Sequence, residues 1–229
     1  MDDEMLEVEG FSGHMHVRCH ASSSRACRCG RYILHTDSMI VAVDGACPSN
    51  GTGQAVKSAC GVYLGPGADN WSWRVADTPG ERHTSSRAEL HAAIGALKAV
   101  MPFTRNGGQM ECEHPGGPCI ARHVVIKSDS AYLVDSVTQH ISKWDANGWK
   151  TSKKTPVKNR DLWEDLMVWL YLVESESETR VHFWHVPRGE NVEADRLANE
   201  GLQSRRVLGI CALEPCDVME SEERLYPYT

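Results

Sequence analysis

Four acidic residues stand where the pattern of the sequence changes from one structural element to the next. They are Asp44, Glu89, Asp129 and Asp195. Asp44 and Asp129 each follow a short apolar run, which is typical of a side chain at the end of a buried strand. Glu89 and Asp195 each fall in the first turn of a segment with helical periodicity. Because α/β proteins bind ligands at the carboxyl ends of their strands, these positions favour one common site.

Carboxylates that meet at one point repel each other unless a cation neutralises them. Hard oxygen ligands select Mg²⁺ or Mn²⁺, and two such ions activate a water and stabilise the leaving oxygen of a phosphodiester. Each acid also has a structural interpretation. Asp44 fits a turn before glycine, and Glu89 fits a capping box with Ser86. Asp129 fits a helix cap, and Asp195 fits a solvated helix face. The coincidence of all four with element junctions favours the metal site.

Apolar runs and periodicity predict the elements that would position these acids. Strands are expected at 39–43, 59–64, 71–75, 123–127 and 180–184, and helices at 85–101, 130–141, 159–174 and 191–202. Turn signals separate the first three strands and predict an antiparallel meander, whereas the later strands alternate with helices and predict parallel pairing. The fold class is therefore α/β, with a five-stranded mixed sheet and helices on both faces. If the first and fourth strands are neighbours, Asp44 and Asp129 lie side by side.

The two ends of the chain differ in character from the middle. Residues 1–37 are polar and without periodicity and predict a flexible leader, and residues 38–204 predict one catalytic domain. Residues 205–229 form an acidic tail, and residues 104–121 a glycine- and proline-rich insertion. The acidic first residues do not match a secretory signal, and no run of 18 apolar residues exists. We expect a cytoplasmic or nuclear protein that is not secreted and has no membrane contact.

Cysteine and histidine cluster at two places. One set is Cys19, Cys27 and Cys29 with His14, His16 and His20, and the other is Cys112, His114 and Cys119. Thiolate and imidazole are preferred zinc donors, so a zinc site is one alternative. Neither cluster has a common zinc spacing, which favours free thiols in loose segments.

The net charge of −7 hides a basic region. Once the two acidic ends are set aside, residues 10–213 carry a net charge of +2. The densest basic stretch, residues 143–161, has six Lys or Arg against two Asp. Local charge governs contact with phosphates, so a nucleic-acid partner is consistent with the composition.

The motifs around the four acids resemble those of the type 1 ribonucleases H. The similar region is residues 39–203, and its motifs are VDGAC at 43–47, TSSRAEL at 84–90, KSDSAY at 127–132 and EADRLA at 193–198. The segment 144–163, with GWKT and PVKNRDLW, resembles the basic protrusion, or handle, of many cellular members. The ending HVPRGEN at 185–191 resembles fungal-type variants. In place of the asparagines that are frequent in the family, this chain has Ser85 and Ser86.

The resemblance implies a role for each matching residue. It implies that the four acids bind two Mg²⁺ ions, with Mn²⁺ as a possible substitute, and that the enzyme cuts the RNA strand of RNA/DNA hybrids. It implies that Asn50, Ser85 and Ser86 face the RNA strand, whose 2′-hydroxyls distinguish it from DNA. Thr84 and Asn159 match positions that hold a DNA phosphate. The handle residues Trp144, Trp149, Lys150, Lys153, Lys154 and Lys158 would stack or grip the DNA backbone. His185 is the nearby histidine that would assist proton transfer, unless it belongs to the preceding strand.

Two other functions are compatible with the same motifs. One is a catalytically weak or inactive module that only binds hybrids, which the presence of all four acids disfavours. The other is a domain derived from a reverse transcriptase, with the same chemistry and a different origin. We expect the protein to be a monomer.

Overall fold

A computed structural model describes residues 6–10, 12–18, 34–35, 37–52, 55–104, 120–175 and 178–209. The strands are β1 (Glu7–Glu9), β2 (Met15–Val17), β3 (Ser38–Ala46), β4 (Ala59–Tyr63), β5 (Trp71–Val75), β6 (His123–Ser128), β7 (Arg180–His185) and β8 (Val207–Leu208). The helices are α1 (Ser85–Thr104), α2 (Ala131–Asp135), α3 (Ile141–Ala146), α4 (Arg160–Ser175) and α5 (Val192–Gly201). One π-helical turn, Ser136–His140, joins α2 to α3, and a 3₁₀ turn, Arg188–Glu190, precedes α5.

The sheet is built around β3. Strands β4 and β5 follow β3 as an antiparallel meander, whereas β6 pairs parallel with the other side of β3 and β7 pairs parallel with β6. All five predicted strands are therefore present, in the predicted directions. The mixed α/β sheet and the adjacency of the first and fourth predicted strands are confirmed.

Helices cover both faces of this sheet. Helix α1 packs on β3 and β4 and also against α4, and helix α5 packs on β3, β4 and β5. Apolar side chains between these layers form one core, whose fully buried members include Val41, Trp73, Leu90 and Trp163. None of the helices in the described ranges has the length and apolar character that a membrane span requires.

Three short strands extend the sheet beyond the five predicted ones. Strand β2 pairs with β1 and joins the start of β3, where Met15 lies opposite Ile40. The buried His16 ring lies 2.6 Å from the Ser38 carbonyl oxygen, which anchors the hairpin. The prediction of a flexible leader is wrong for this part of residues 1–37. Strand β8 pairs parallel with β5, so the predicted tail begins as an edge strand.

Two local predictions are corrected by the structure. The sequence Asp44–Gly45 suggests the start of a turn, but β3 continues through both residues to Ala46. The capping box of Ser86 with Glu89 is also wrong, because the Thr84 hydroxyl accepts the hydrogen bond from the Arg87 amide and α1 starts at Ser85. Thr84, Ser85 and Ser86 are all hydroxyl residues, so their types do not distinguish the three possible caps.

Most of the cysteine and histidine clusters lie outside the described residues. Of their members only His14 and His16 are described, and both rings are engaged within the fold, at the Ser12 hydroxyl and the Ser38 carbonyl. The insertion at 105–119 lies outside the described residues as well.

Candidate active site

Two of the four acids lie side by side at the end of neighbouring parallel strands. The register pairs Ala42 of β3 with Lys127 of β6, and Asp44 and Asp129 each follow two residues later. Asp44 is 5% exposed, so its carboxyl group lies within the packed end of the sheet. The register therefore confirms the prediction that the ends of β3 and β6 lie next to each other.

Two glycines allow a helix to approach this strand end from each face. A Cβ atom on Gly45 would lie 2.4 Å from the Glu89 backbone nitrogen of α1. A Cβ atom on Gly61, which lies opposite Asp44 in β4, would lie 2.4 Å from the Ala194 carbonyl oxygen of α5. Adjacent residues of a strand point to opposite faces, so α1 brings Glu89 from one side and α5 brings Asp195 from the other. Close backbone approach at these glycines thus positions two of the acids.

Sequence reasoning missed two donors that contact the acids. The buried Asn191 donates from Nδ2 to the Val43 carbonyl oxygen at 2.9 Å and to Asp129 Oδ1 at 3.0 Å. Arg188 donates from a guanidinium nitrogen to Asp195 Oδ1 at 2.5 Å. Asn191 precedes α5, where an asparagine is ordinarily a helix cap, but its side chain makes no capping hydrogen bond. Its residue type and its position before a helix therefore do not reveal its contact with Asp129.

Burial and repulsion by neighbouring charges raise the pKa of two of these acids, Asp44 and Glu89. Removal from water, followed by the charges of Asp129 and Asp195, raises the pKa of Asp44 to about 7. Removal from water, followed by the charges of Asp44 and Asp129, raises the pKa of Glu89 to about 9. Glu89 Oε2 is buried without a hydrogen-bond partner in the described structure. A cation bound beside these carboxyl groups would therefore reduce the repulsion between their negative charges.

The donor set fits a hard divalent cation. All four side chains offer carboxylate oxygen, which is what Mg²⁺ and Mn²⁺ prefer, and the unpartnered Glu89 Oε2 supplies a free ligand atom. As placed, however, no three acid, histidine or cysteine side chains of the described residues form a ready ligand group. Asp195 is instead paired with Arg188.

His185 is the last residue of β7 and lies beside the acid cluster. Its Nε2 lies 3.3 Å from the backbone carbonyl oxygen of Asp129, and the side chain is exposed. It thus belongs to the strand, which is the alternative that the sequence left open, but its ring reaches the backbone of Asp129, so lying on the strand does not remove it from the candidate site. A role in proton transfer stays a prediction.

The residues expected to face RNA lie together beside α1. Asn50 donates from Nδ2 to the Ser85 hydroxyl at 2.8 Å, and the Ser85 amide donates back to Asn50 Oδ1 at 3.2 Å. Ser86 is half-buried in the same first turn. The reciprocal bonds hold the 50–52 loop against the start of α1.

The expected phosphate-holding residues lie on two elements that are tied together. Arg87 of α1 donates two hydrogen bonds, at 3.0 and 2.6 Å, to the carboxylate of Asp161 in α4. Thr84 precedes α1 and Asn159 precedes α4, so this ion pair couples their positions. Asn159 has a φ of 57°, a left-handed conformation that asparagine tolerates, and donates to the Tyr132 hydroxyl at 3.2 Å.

The handle presents its lysines to solvent and keeps its tryptophans inside. Trp149 is 5% exposed with the Arg160 guanidinium 5.7 Å from its ring centre, and Trp144 packs edge-on to Trp163 at 5.9 Å. Both handle tryptophans therefore contact the protein itself. The exposed side chains are Lys150, Lys153, Lys154 and Lys158.

Comparison with known proteins agrees with this arrangement. The RNase H family profile matches residues 36–203. A ribonuclease H of Rhodopseudomonas palustris (strain BisB5) is 35% identical over 179 residues, which cover 74% of this chain and 95% of that protein. Ribonuclease H1 of Mus musculus is 35% identical over 170 residues, or 72% of this chain and 50% of the mouse protein. The solution structure of the PFV RNase H domain has the same fold, with a TM-score of 0.50, 19% identity and coverage of 72% of this chain and 94% of that one. Since the family profile spans most of the chain, and the bacterial relative is matched over nearly its whole length, the chain belongs to the ribonuclease H family.

Proposed function

We propose that the protein is an endoribonuclease that hydrolyses the RNA strand of RNA/DNA hybrids and leaves 5′-phosphate and 3′-hydroxyl ends. The observation that supports this most directly is the acid cluster, since four separate elements each direct one carboxyl group to one edge of the sheet. We assign the cluster two divalent cations, Mg²⁺ or in its place Mn²⁺, held by Asp44, Glu89, Asp129 and Asp195. When bound, such ions activate a water and stabilise the charge of the leaving 3′-oxygen.

The protein's own groups prepare this site. Asn191 fixes one oxygen of Asp129, and the Gly45 amide donates to the Glu89 carboxyl group. Burial, followed by the charges of Asp44 and Asp129, raises the pKa of Glu89 to about 9, which favours the protonated form at neutral pH; a bound cation would favour the charged form. We assign His185 the exchange of a proton at the edge of the site, and its contact with the Asp129 carbonyl oxygen supports this role.

Substrate selection follows from the two surfaces beside the cluster. The Asn50–Ser85 pair offers amide and hydroxyl groups of the kind that bind the 2′-hydroxyls of RNA. The exposed lysines of the handle suit the phosphates of the DNA strand and do not read its sequence. All four acids come from one chain, so we propose that a monomer is active.

Cleavage of an end-labelled hybrid tests the proposal. We expect RNA cuts that require Mg²⁺ or Mn²⁺, and no cuts in duplex RNA or duplex DNA. Asp129→Asn keeps the size and shape of the side chain but removes its negative charge. This substitution should abolish cleavage. Hybrid binding without cleavage by the folded wild type would instead favour the binding-module alternative.

A further inference from the structure

Asn191 lies where three parts of the candidate site meet. It is 1% exposed and connects the 3₁₀ turn Arg188–Glu190 to α5. Its Nδ2 group donates one hydrogen bond to the Val43 carbonyl oxygen at the end of β3 and one to Asp129 Oδ1 beyond β6. One amide group thus connects the two parallel strands at the end of the sheet where Asp44 and Asp129 lie.

The chemistry of these contacts suits the NH₂ group of a side-chain amide. Both partners are acceptors, so the group between them must donate two hydrogen bonds from one atom. The opposite orientation of the amide would place Oδ1 against a carbonyl oxygen and a carboxylate, so the acceptors themselves fix which atom is nitrogen. In the structure described, Asn191 Oδ1 is buried without a partner. A buried acceptor without a partner is unfavourable for folding, so stability alone does not explain an asparagine at this position.

We propose that Asn191 is a positioning residue, which orients the Asp129 carboxylate for divalent cations. By binding Oδ1 of Asp129, the amide restricts rotation of the carboxylate. The other oxygen, Oδ2, then stays available to bind a cation. It also fixes Asp129 relative to Asp44, because Val43 directly precedes Asp44 in β3. The inference rests on the proposed function, since it assigns a task within the same metal site.

Binding of Mn²⁺ to the whole chain, measured from the electron paramagnetic resonance signal of the free ion, tests this role without substrate. Loss of a group that orients a metal ligand typically weakens metal binding about 10–100-fold. We expect a loss of this size for Asn191→Ala, and a similar rise in the Mg²⁺ concentration that half-saturates hybrid cleavage. At saturating metal, kcat should recover in part.

Asn70→Ala is the matched control. Asn70 also makes half-buried side-chain contacts with the backbone, accepting from the Leu64 and Gly65 amides and donating to the Gly65 carbonyl. It lies in the turn between β4 and β5, so its loss should lower the thermal midpoint and leave Mn²⁺ affinity unchanged. If Asn191→Ala does not fold, Asn191→Leu fills a similar volume without the amide and carries the same test.

The outcomes separate this inference from the proposed function. If the wild type cleaves hybrids and Asn191→Ala binds Mn²⁺ as tightly as Asn70→Ala does, the positioning role is wrong and the proposed function stands. If the folded wild type neither binds Mn²⁺ nor cleaves hybrids, the proposed function itself is wrong.

Discussion

Gly61→Ala should displace Asp195 and reduce activity far more than it reduces stability. In the structure, the added Cβ would lie 2.4 Å from the Ala194 carbonyl oxygen and 2.5 Å from the Ala198 amide nitrogen. Ordinary van der Waals contact begins at 3.4 Å, so α5 must retreat by roughly 1 Å. Both obstructing atoms are backbone, and they flank Asp195 on the same helix.

The expected size of each effect follows from this displacement. Misplacement of a functional group by about 1 Å costs on the order of 100-fold in rate. Overpacking of a close contact costs about 1–3 kcal/mol of unfolding free energy, which leaves a domain of this size folded. We therefore expect Gly61→Ala to be folded at 25 °C and to cleave hybrids about 100-fold more slowly than the wild type.

Single-turnover cleavage of a labelled hybrid, together with urea denaturation, measures both effects. Gly189→Ala is the matched control, because a Cβ there meets no atom within 4 Å although the residue lies in the turn next to α5. That control should keep wild-type rate and stability. A folded Gly61→Ala protein with the wild-type cleavage rate would refute the idea that close approach of α5 sets the position of Asp195.

Three further predictions concern charge. Since the raised pKa of Glu89 is about 9 against 4.5 for a free side chain, the metal-free protein should lose thermal stability as pH rises between these values, and Glu89→Gln should lessen the loss in melts with EDTA. Arg188→Gln removes the cation that pairs with Asp195, so Mn²⁺ should bind several-fold more tightly, and unchanged or weaker binding would contradict competition by Arg188. Replacing handle lysines by glutamine should weaken hybrid binding and reduce the slope of log K against log salt by about one for each phosphate that is no longer bound, in filter-binding assays over a salt series. The residues for that series are Lys150, Lys153, Lys154 and Lys158.

The sequence predicts the central sheet well because its signals are strong and local. Each of the five predicted strands is an apolar run or a segment that alternates apolar and polar residues, bounded by turn residues or by a helix. Asp44 and Asp129 lie at neighbouring strand ends as predicted, because parallel pairing follows from strands that alternate with helices. The helices that carry Glu89 and Asp195 are likewise evident from their periodicity.

The terminal strands escape prediction because they have almost no sequence signal. Strands β1 and β2 have three residues each and β8 has two, which is too short for an alternating pattern to appear. Their stability comes from contacts that are distant in sequence. The Lys127 ammonium of β6 pairs with Glu7 of β1, so the hairpin is held by a residue 120 positions further along the chain. A sequence without alignment does not reveal such pairs.

Gly45 and Asn191 are more instructive, because each residue type has a commoner role that hides the one it plays here. Gly45 follows an aspartate and suggests a turn, yet in the structure it lies in a strand and makes room for the backbone of α1. Asn191 precedes a helix and suggests a cap, yet its amide points into the sheet and holds Asp129. In both cases the commoner local role is enough to account for the residue type, so the sequence gives no reason to look for a contact with the candidate site. A glycine or asparagine next to a strand-end carboxylate therefore has two roles to be distinguished, and only the packing of the neighbouring helix decides between them.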